Sequence, residues 1–460
     1  MNGGSFKKDK VGINLTEGKI LKTLLIFAIP IILTNLIQQF YSMVDLMIIG
    51  KYMGSEGTVG VSTGGELADM LMPIANAFAM AGQIYIAQLV GAKDEKRVKE
   101  TIGTLLTLMM LVAIVCTVFG VFFHTDILRL LNCPSEAWEQ AASYMIITAL
   151  GVPFIFGYNA VCGVLRGMGE SKRPLYFIMI AATVNIVMDI LLVAVFKMEA
   201  AGTAIATILS QFGSFAAAFY YLYKHKEQFD FELKLSYFKM KWEPLKLILI
   251  LGIPQMVRSS FVRFSMLWVN SNVNSYGLVI SATNAVGNKI NKFLEVFVSG
   301  VNTASGAAIG QNLGAKKIDR ASKITWVTLA CCLVLASICA GVALFAPKAL
   351  FAIFTPDQAV IDEGVIYMKI MIMHFFMSAI TGTFQAMVTG CGFVSLGFLI
   401  GILDGVVCRI GFSLLFVNVF NQGAYGYWWG TAFARTLPGL LCFAYFMSGK
   451  WKTRKLLSDK

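Results

Sequence analysis

Twelve apolar stretches, each long enough to cross a bilayer as a helix, recur along this chain of 460 residues, and they decide its class. A spanning helix needs about 20 mostly apolar residues. With 57% of residues apolar and only 14% charged, no soluble surface can be built. The chain therefore reads as an all-α integral membrane protein with spans at 20–50, 58–90, 101–124, 137–165, 174–197, 200–223, 244–273, 280–312, 322–346, 361–390, 394–420 and 424–448.

The formal charge of +12 comes from 38 Lys and Arg against 26 Asp and Glu, and its placement argues for topology rather than nucleic-acid binding. Most of the basic residues fall in alternate loops: the N-terminal tail, 93–99, 166–173, 224–246, 316–323 and the C-terminal tail. The intervening loops offer only Lys51, Arg129, Lys197 and Lys348. The positive-inside rule then places both termini in the cytoplasm and makes the number of spans even, as expected of a multi-pass protein of the cell's inner membrane. Lipid headgroups are the expected partners of the basic loops. The polar, basic N-terminus leads into a first helix with no cleavage site, not a removable signal peptide.

The remaining motifs exclude more than they support. Eight of the nine cysteines lie inside apolar stretches and read as small buried hydrophobes; Cys133 is the exception. His124, His225 and His374 are too scattered for a metal site; His374 reads either as a proton relay or as a satisfied buried histidine. Without a phosphate-binding loop, a zinc-binding histidine pair or a glycine-framed serine, the chain is expected to be no enzyme and to need no cofactor.

The chain repeats itself. Gln88-Leu89-Val90-Gly91-Ala92-Lys93 recurs as Gln311-Asn312-Leu313-Gly314-Ala315-Lys316, an offset of 223 that also pairs Tyr144-Met145 with Tyr367-Met368 and Gly167-Met168-Gly169 with Gly390-Cys391-Gly392. At 224, Pro30 meets Pro254 and Gly202 meets Gly426. Six spans per copy place both copies the same way up, so two six-helix bundles are related by a pseudo-twofold axis along the membrane normal. The expected organisation is an N-terminal tail at 1–19, a lobe at 20–223, a linker at 224–243, a second lobe at 244–448 and a tail at 449–460. Two lobes around a cleft suit transport by alternating access, within one chain and so as a monomer. Pro30 and Pro254 allow bending of the first helix in each lobe, or serve as static kinks needed for packing.

Polar groups inside the spans mark the pathway. Thr34, Gln38, Tyr41 and Asp45 are spaced 4, 3 and 4 apart, one face of a helix. Asn185 and Asp189 form another i,i+4 pair. Asp189 lies roughly 22 Å along its helix from Pro174, and Thr207 roughly 10 Å from the outer end of its own, which are matching depths in a core of about 30 Å. Asp45 also reaches the outer half. These oxygens can hold a Na⁺ ion or keep one carboxyl protonated; the alternative is that each acid reaches the outer interface separately. The second lobe instead carries Arg258, Arg263, Lys289, Lys292, Lys369, Arg409 and Arg435, with Glu295 and Asp404 as its clear acids. Glu66 and Asp69 correspond at the repeat offset to Lys289 and Lys292, an opposite-charge set that pairs as an outer gate or is solvated separately at the rim.

The residues from Ile29-Pro30 to Gly54, with Gln38-Gln39, Tyr41, Val44-Asp45 and Gly50, resemble the first helix of the multidrug and toxic compound extrusion (MATE) transporters. So do Gln88 to Lys93, Gly163 to Gly169 and Asn185 to Asp189. The resemblance covers essentially the whole chain. It implies an antiporter that exports organic, often cationic compounds in exchange for Na⁺ or H⁺. It also implies a coupling site at Asp45, Asn185, Asp189 and Thr207, a bending proline at Pro30, and pocket residues at Gln38 and Tyr41, with Asn159 as a further candidate. The seventh span departs from one sodium-coupled branch: it reads Gln255-Met256-Val257-Arg258, with Arg263 following and no acid. Coupling through the first lobe alone is expected. Arg258 and Arg263 can meet a carboxylate or phosphate, so a flippase of lipid-linked oligosaccharides in the same superfamily is the alternative.

Overall fold

In the computed structural model, which describes residues 12–226 and 238–457, no strand occurs among the described residues and the chain is a succession of long helices. They run α1 Ile20–Tyr52, α2 Gly54–Ala92, α3 Glu95–Phe122, α4 Trp138–Gly167, α5 Lys172–Asp189 and α6 Glu199–Lys224 in the first half. The second half has α7 Trp242–Asn274, α8 Leu278–Gly314, α9 Ile318–Phe345, α10 Gln358–Gly390 and α11, which starts at Val394–Ile402 and ends in a π turn at Leu415–Val419. The last helix, α12, is broken into Ala424–Phe433 and Thr436–Met447. Ten of these are long and apolar enough to cross a membrane by length and composition. The other two are α8, rich in Asn, Ser and Gly and carrying Lys289, Lys292 and Glu295, and the interrupted α12. Parts of the expected tails and linker, residues 1–11, 227–237 and 458–460, lie outside the described residues.

The duplication extends to single backbone angles. Lys93 closes α2 in the left-handed region at φ 60, with its N–H on Val90 O and that of Asp94 on Leu89 O. Lys316 does the same after α8 at φ 58, with Leu313 and Asn312 as acceptors. This paired closure satisfies the last carbonyls of each helix. Positive φ recurs at Gly169 and Gly392, at Lys197 and Asn421, and at Glu199 and Gly423. Close approach recurs less strictly: Gly163 and Gly167 admit the α2 backbone, where a Cβ would lie 2.6 Å from Ala79 O and 2.8 Å from Gln83 O.

Contacts group the chain into two units. One holds Leu33–Gly252 with the residues before Leu15; the other holds Leu15–Ile32 and Ile253–Lys460. The leading parts of α1 and α7 are therefore exchanged relative to lobes cut at 20–223 and 244–448. In the second unit, Leu15 is buried, its carbonyl accepts from Asn312 Nδ2 at 2.9 Å, and Glu17 O accepts from Arg320 at 2.6 Å. In the first, Lys241 N donates to Thr104 Oγ1 at 3.1 Å, and Gly252 packs on Phe78.

Symmetry fails at one cap. Asp94 accepts from Arg97 N at 3.0 Å and Arg97 Nε at 2.6 Å, capping α3. The backbone bond first, then the guanidinium, holds this carboxyl below its usual range. At the matching place Lys317 offers no cap to α9 and donates instead to Thr16 O at 2.9 Å. Asp94→Ala should cost about 1 kcal/mol. Because the folded carboxyl titrates lower than the unfolded one, that contribution is complete at neutral pH and is lost as the pH falls through the folded range. Thermal melts of the full chain in detergent should show the gap between wild type and variant closing only as the pH falls below the ordinary aspartate range, about 3.9.

Candidate functional site

In the first unit, α1, α4, α5 and α6 bring their polar groups together. Asp189, the last residue of α5 before a π turn at Ile190–Val195, is fully buried, and its carboxyl lies within hydrogen-bonding reach of the half-buried Asp45 on α1. Neither oxygen of Asp189, nor Asp45 Oδ1, meets a donor among the described residues. Two carboxylates in contact repel each other, so a proton or a small cation between them is needed to relieve the pair.

The surrounding groups come from the remaining helices. Tyr144 of α4 lies near Thr207 of α6 and within electrostatic range of both acids. Tyr41 lies near Gln211 of α6 and within electrostatic range of Asp45. Asn185 is buried one turn before Asp189, its Oδ1 also without a partner among the described residues. Thr34 is buried and Gln38 half-buried on the α1 stripe. Asn159 is buried, but its amide donates to Ile155 O at 2.8 Å, one turn back on its own helix. Tyr144 and Gln211 escaped sequence reasoning. Tyr144 was visible as a repeat match, and Gln211 as a polar residue one turn beyond Thr207.

The second unit gathers a different set. Arg258 of α7 donates to Asp404 Oδ2 at 3.0 Å, and Arg409 lies 3.5 Å from Oδ1. Glu295 of α8 takes three donors on one oxygen: His374 Nε2 at 2.8 Å, Ser378 at 3.1 Å and Arg435 at 2.7 Å. Arg435 also meets Ser378 Oγ closely. Arg409 is within electrostatic range of Glu295 and Arg435, so the two groups form one cluster. His374 thus has a partner on one ring nitrogen, while Nδ1 has none among the described residues. Arg263 is half-buried on α7. Of the residues read as an outer gate, Asp69, Lys289 and Lys292 are exposed and Glu66 is half-buried, each on its own unit. No group of three metal-ligating side chains occurs among the described residues.

At the 224 offset the two sets occupy equivalent positions with different charge. Thr34, Asn185 and Gln211 become Arg258, Arg409 and Arg435, while Asp45 and Asp189 become Val269 and Ser413. The offset rises from 223 at Gly169/Gly392 to 224 at Lys197/Asn421, so α11 carries one residue more than α5. A second π turn at Leu403–Val407, with no counterpart in α5, absorbs it, and Asp404 sits on that turn.

Known proteins share the fold and its duplication. The MatE family model matches residues 30–191 and again 254–415, one match in each repeat. The chain is 31% identical over 314 residues to "Probable multidrug resistance protein YoeA" of Bacillus subtilis (strain 168), covering 67% of this chain and 68% of that protein. It is 28% identical to YpnP of the same organism, also named a probable multidrug resistance protein, over 97% of this chain and 99% of the relative. A crystal structure of MATE in complex with MaL6 superimposes with a TM-score of 0.89 at 21% identity, over 95% of this chain and 98% of that one. The double family match and the near-full-length relatives lead to one conclusion: the chain belongs to the MatE family of multidrug and toxic compound extrusion transporters.

Proposed function

We propose that this transporter is a secondary antiporter, exporting organic cationic or amphipathic compounds in exchange for an inward-moving H⁺ or Na⁺. The observation that carries the reading is the approach of half-buried Asp45 to buried Asp189, with both oxygens of Asp189 and Oδ1 of Asp45 lacking donors among the described residues. In the outward-open state, external cation enters this pair, assisted by the oxygens of Asn185 and Thr207. Charge on the acids falls, cationic compound held near Gln38 and Tyr41 is released, and the loaded protein rocks inward. Loss of the ion to the cytoplasm restores the carboxylates. Occupancy shifts the balance of states only by its differential affinity for them, so the acids must be exposed to different sides in turn. Pro30, buried on α1, is the bend that such a change requires. We place both termini in the cytoplasm of the inner membrane and take the monomer as the functional unit. The proton is the favoured coupling ion, because a carboxylate pair needs nothing else to bind it.

The test is uptake and release of a fluorescent organic cation by proteoliposomes, with Na⁺ and H⁺ gradients imposed separately. A proton gradient should drive wild-type export, and Asp189→Asn and Asp45→Asn should each lower it at least about tenfold, within the usual range of coupling between two sites. Normal gradient-driven export by both variants would refute the mechanism. The arginines of the second unit favour one other reading, flipping of a lipid-linked oligosaccharide pyrophosphate; that reading gains if neither gradient moves the cation.

The outer gate has its own test. If Asp69 pairs with the basic residues of α8, Asp69→Lys and Lys292→Asp should each impair export and the double variant should recover most of it. Impairment without recovery would leave these side chains as separately solvated rim charges.

A further inference from the structure

The second unit holds more buried positive charge than its own acids balance. Arg258, Arg409 and Arg435 face Asp404 and Glu295, three guanidinium groups to two carboxylates, with His374 on Glu295. Arginine stays charged in proteins, and an uncompensated buried charge is costly. Arg409 is 2% exposed, and its Nε meets no acceptor among the described residues; neither does Arg435 Nε. Arg409 NH1 rests on the sulfur of Met266 at 3.0 Å, a weak acceptor.

The cluster is closed on one side and open on the other. Arg409 and Asp404 are sealed, with side-chain exposures of 3% and 1%, whereas Arg435 and Glu295 are 24% and 27% exposed. The same helix positions carry neutral groups in the first unit, around acids that need a cation. Asp404 stands on the extra π turn, and such turns occur often at functional sites.

We propose that this cluster is a binding site for the carboxylate of an exported compound, so that the transporter accepts amphiphiles with an acidic as well as a basic end. The incoming carboxylate supplies the missing negative charge and takes the guanidinium groups of Arg435 and Arg258, 24% and 15% exposed, while the Arg409–Asp404 pair holds them in place. Arginine suits this role, since its planar fork meets a carboxylate with two parallel hydrogen bonds. The proposal rests on the export reading only for the origin of the carboxylate, and the binding test below uses no ion gradient. A failure of coupled transport and a failure of this site are therefore separate results.

The experiment follows the melting temperature of purified full-length protein in detergent, titrated with benzoate, with its neutral isostere methyl benzoate, and with chloride. Benzoate should raise the melting temperature saturably, and methyl benzoate should not. Arg435→Gln and Arg258→Gln should each weaken the benzoate response roughly tenfold, as expected for loss of one charge-assisted hydrogen bond. Arg435→Lys keeps the charge without the fork and should give an intermediate response, which guards against a glutamine variant that fails to fold. Benzoate acting no better than methyl benzoate would overturn the proposal. So would a response unchanged in all three variants, or chloride reproducing the full shift and displacing benzoate, which would make the cluster a counter-ion site.

Discussion

An ionised side chain within the membrane must find opposite charge or lose its own, and both halves of this bundle are arranged around that requirement. The second unit meets it for its two acids with its own residues, one guanidinium remaining in excess. Asp404 sits between Arg258 and Arg409, and Glu295 accepts from Arg435, His374 and Ser378. The first unit leaves the requirement open, because the nearest charged group to Asp189 is another acid, Asp45. An arginine at Asn185, as the second unit has at Arg409, would supply the pair with opposite charge from within the chain.

Backbone and charge therefore obey different rules across the repeat. Turn geometry is copied closely: Lys93 and Lys316, Gly169 and Gly392, and Lys197 and Asn421 share positive φ. These positions answer to helix closure, which is the same problem in both copies. The polar faces are not copied, and there Thr34, Asn185 and Gln211 have arginine as their counterparts. The added residue of α11 belongs with the second kind of change. A π turn costs good hydrogen-bond geometry, yet here it carries Asp404 into contact with two arginines.

Much of the fold could be read in advance because hydrophobic length and duplication are local signals. The first-unit site was nearly as legible: Asp45, Asn185, Asp189 and Thr207 declared themselves by helical spacing and common depth. The second-unit cluster did not. Glu295 meets His374 and Arg435 across 79 and 140 residues of sequence, and no periodicity links such distant positions. Taken alone, His374 reads more often as a satisfied buried histidine than as a relay; the Glu295 contact gives it a partner. Tyr144 was hidden for the opposite reason. Its repeat match Tyr367 bonds Asn288 and Asn291, so a shared residue type marked shared architecture while its neighbours set separate roles.

The sequence also gave no sign that α1 and α7 each change packing partners part-way along. The change falls at Ile32/Leu33 in α1 and at Gly252/Ile253 in α7, within three residues of Pro30 and Pro254. Each proline removes one intrahelical bond, freeing the carbonyl four residues earlier, Ile26 and Ile250 respectively. A helix is weakest in bending where such a bond is missing. That point coincides with the place where its two parts begin to answer to different surroundings, so strain imposed on either part concentrates at the proline rather than spreading along the helix. In α1 the stripe from Thr34 to Asp45 lies just beyond that point. Pro30 and Asp45 thus lie on one helix, with the acid stripe beginning four residues after the proline.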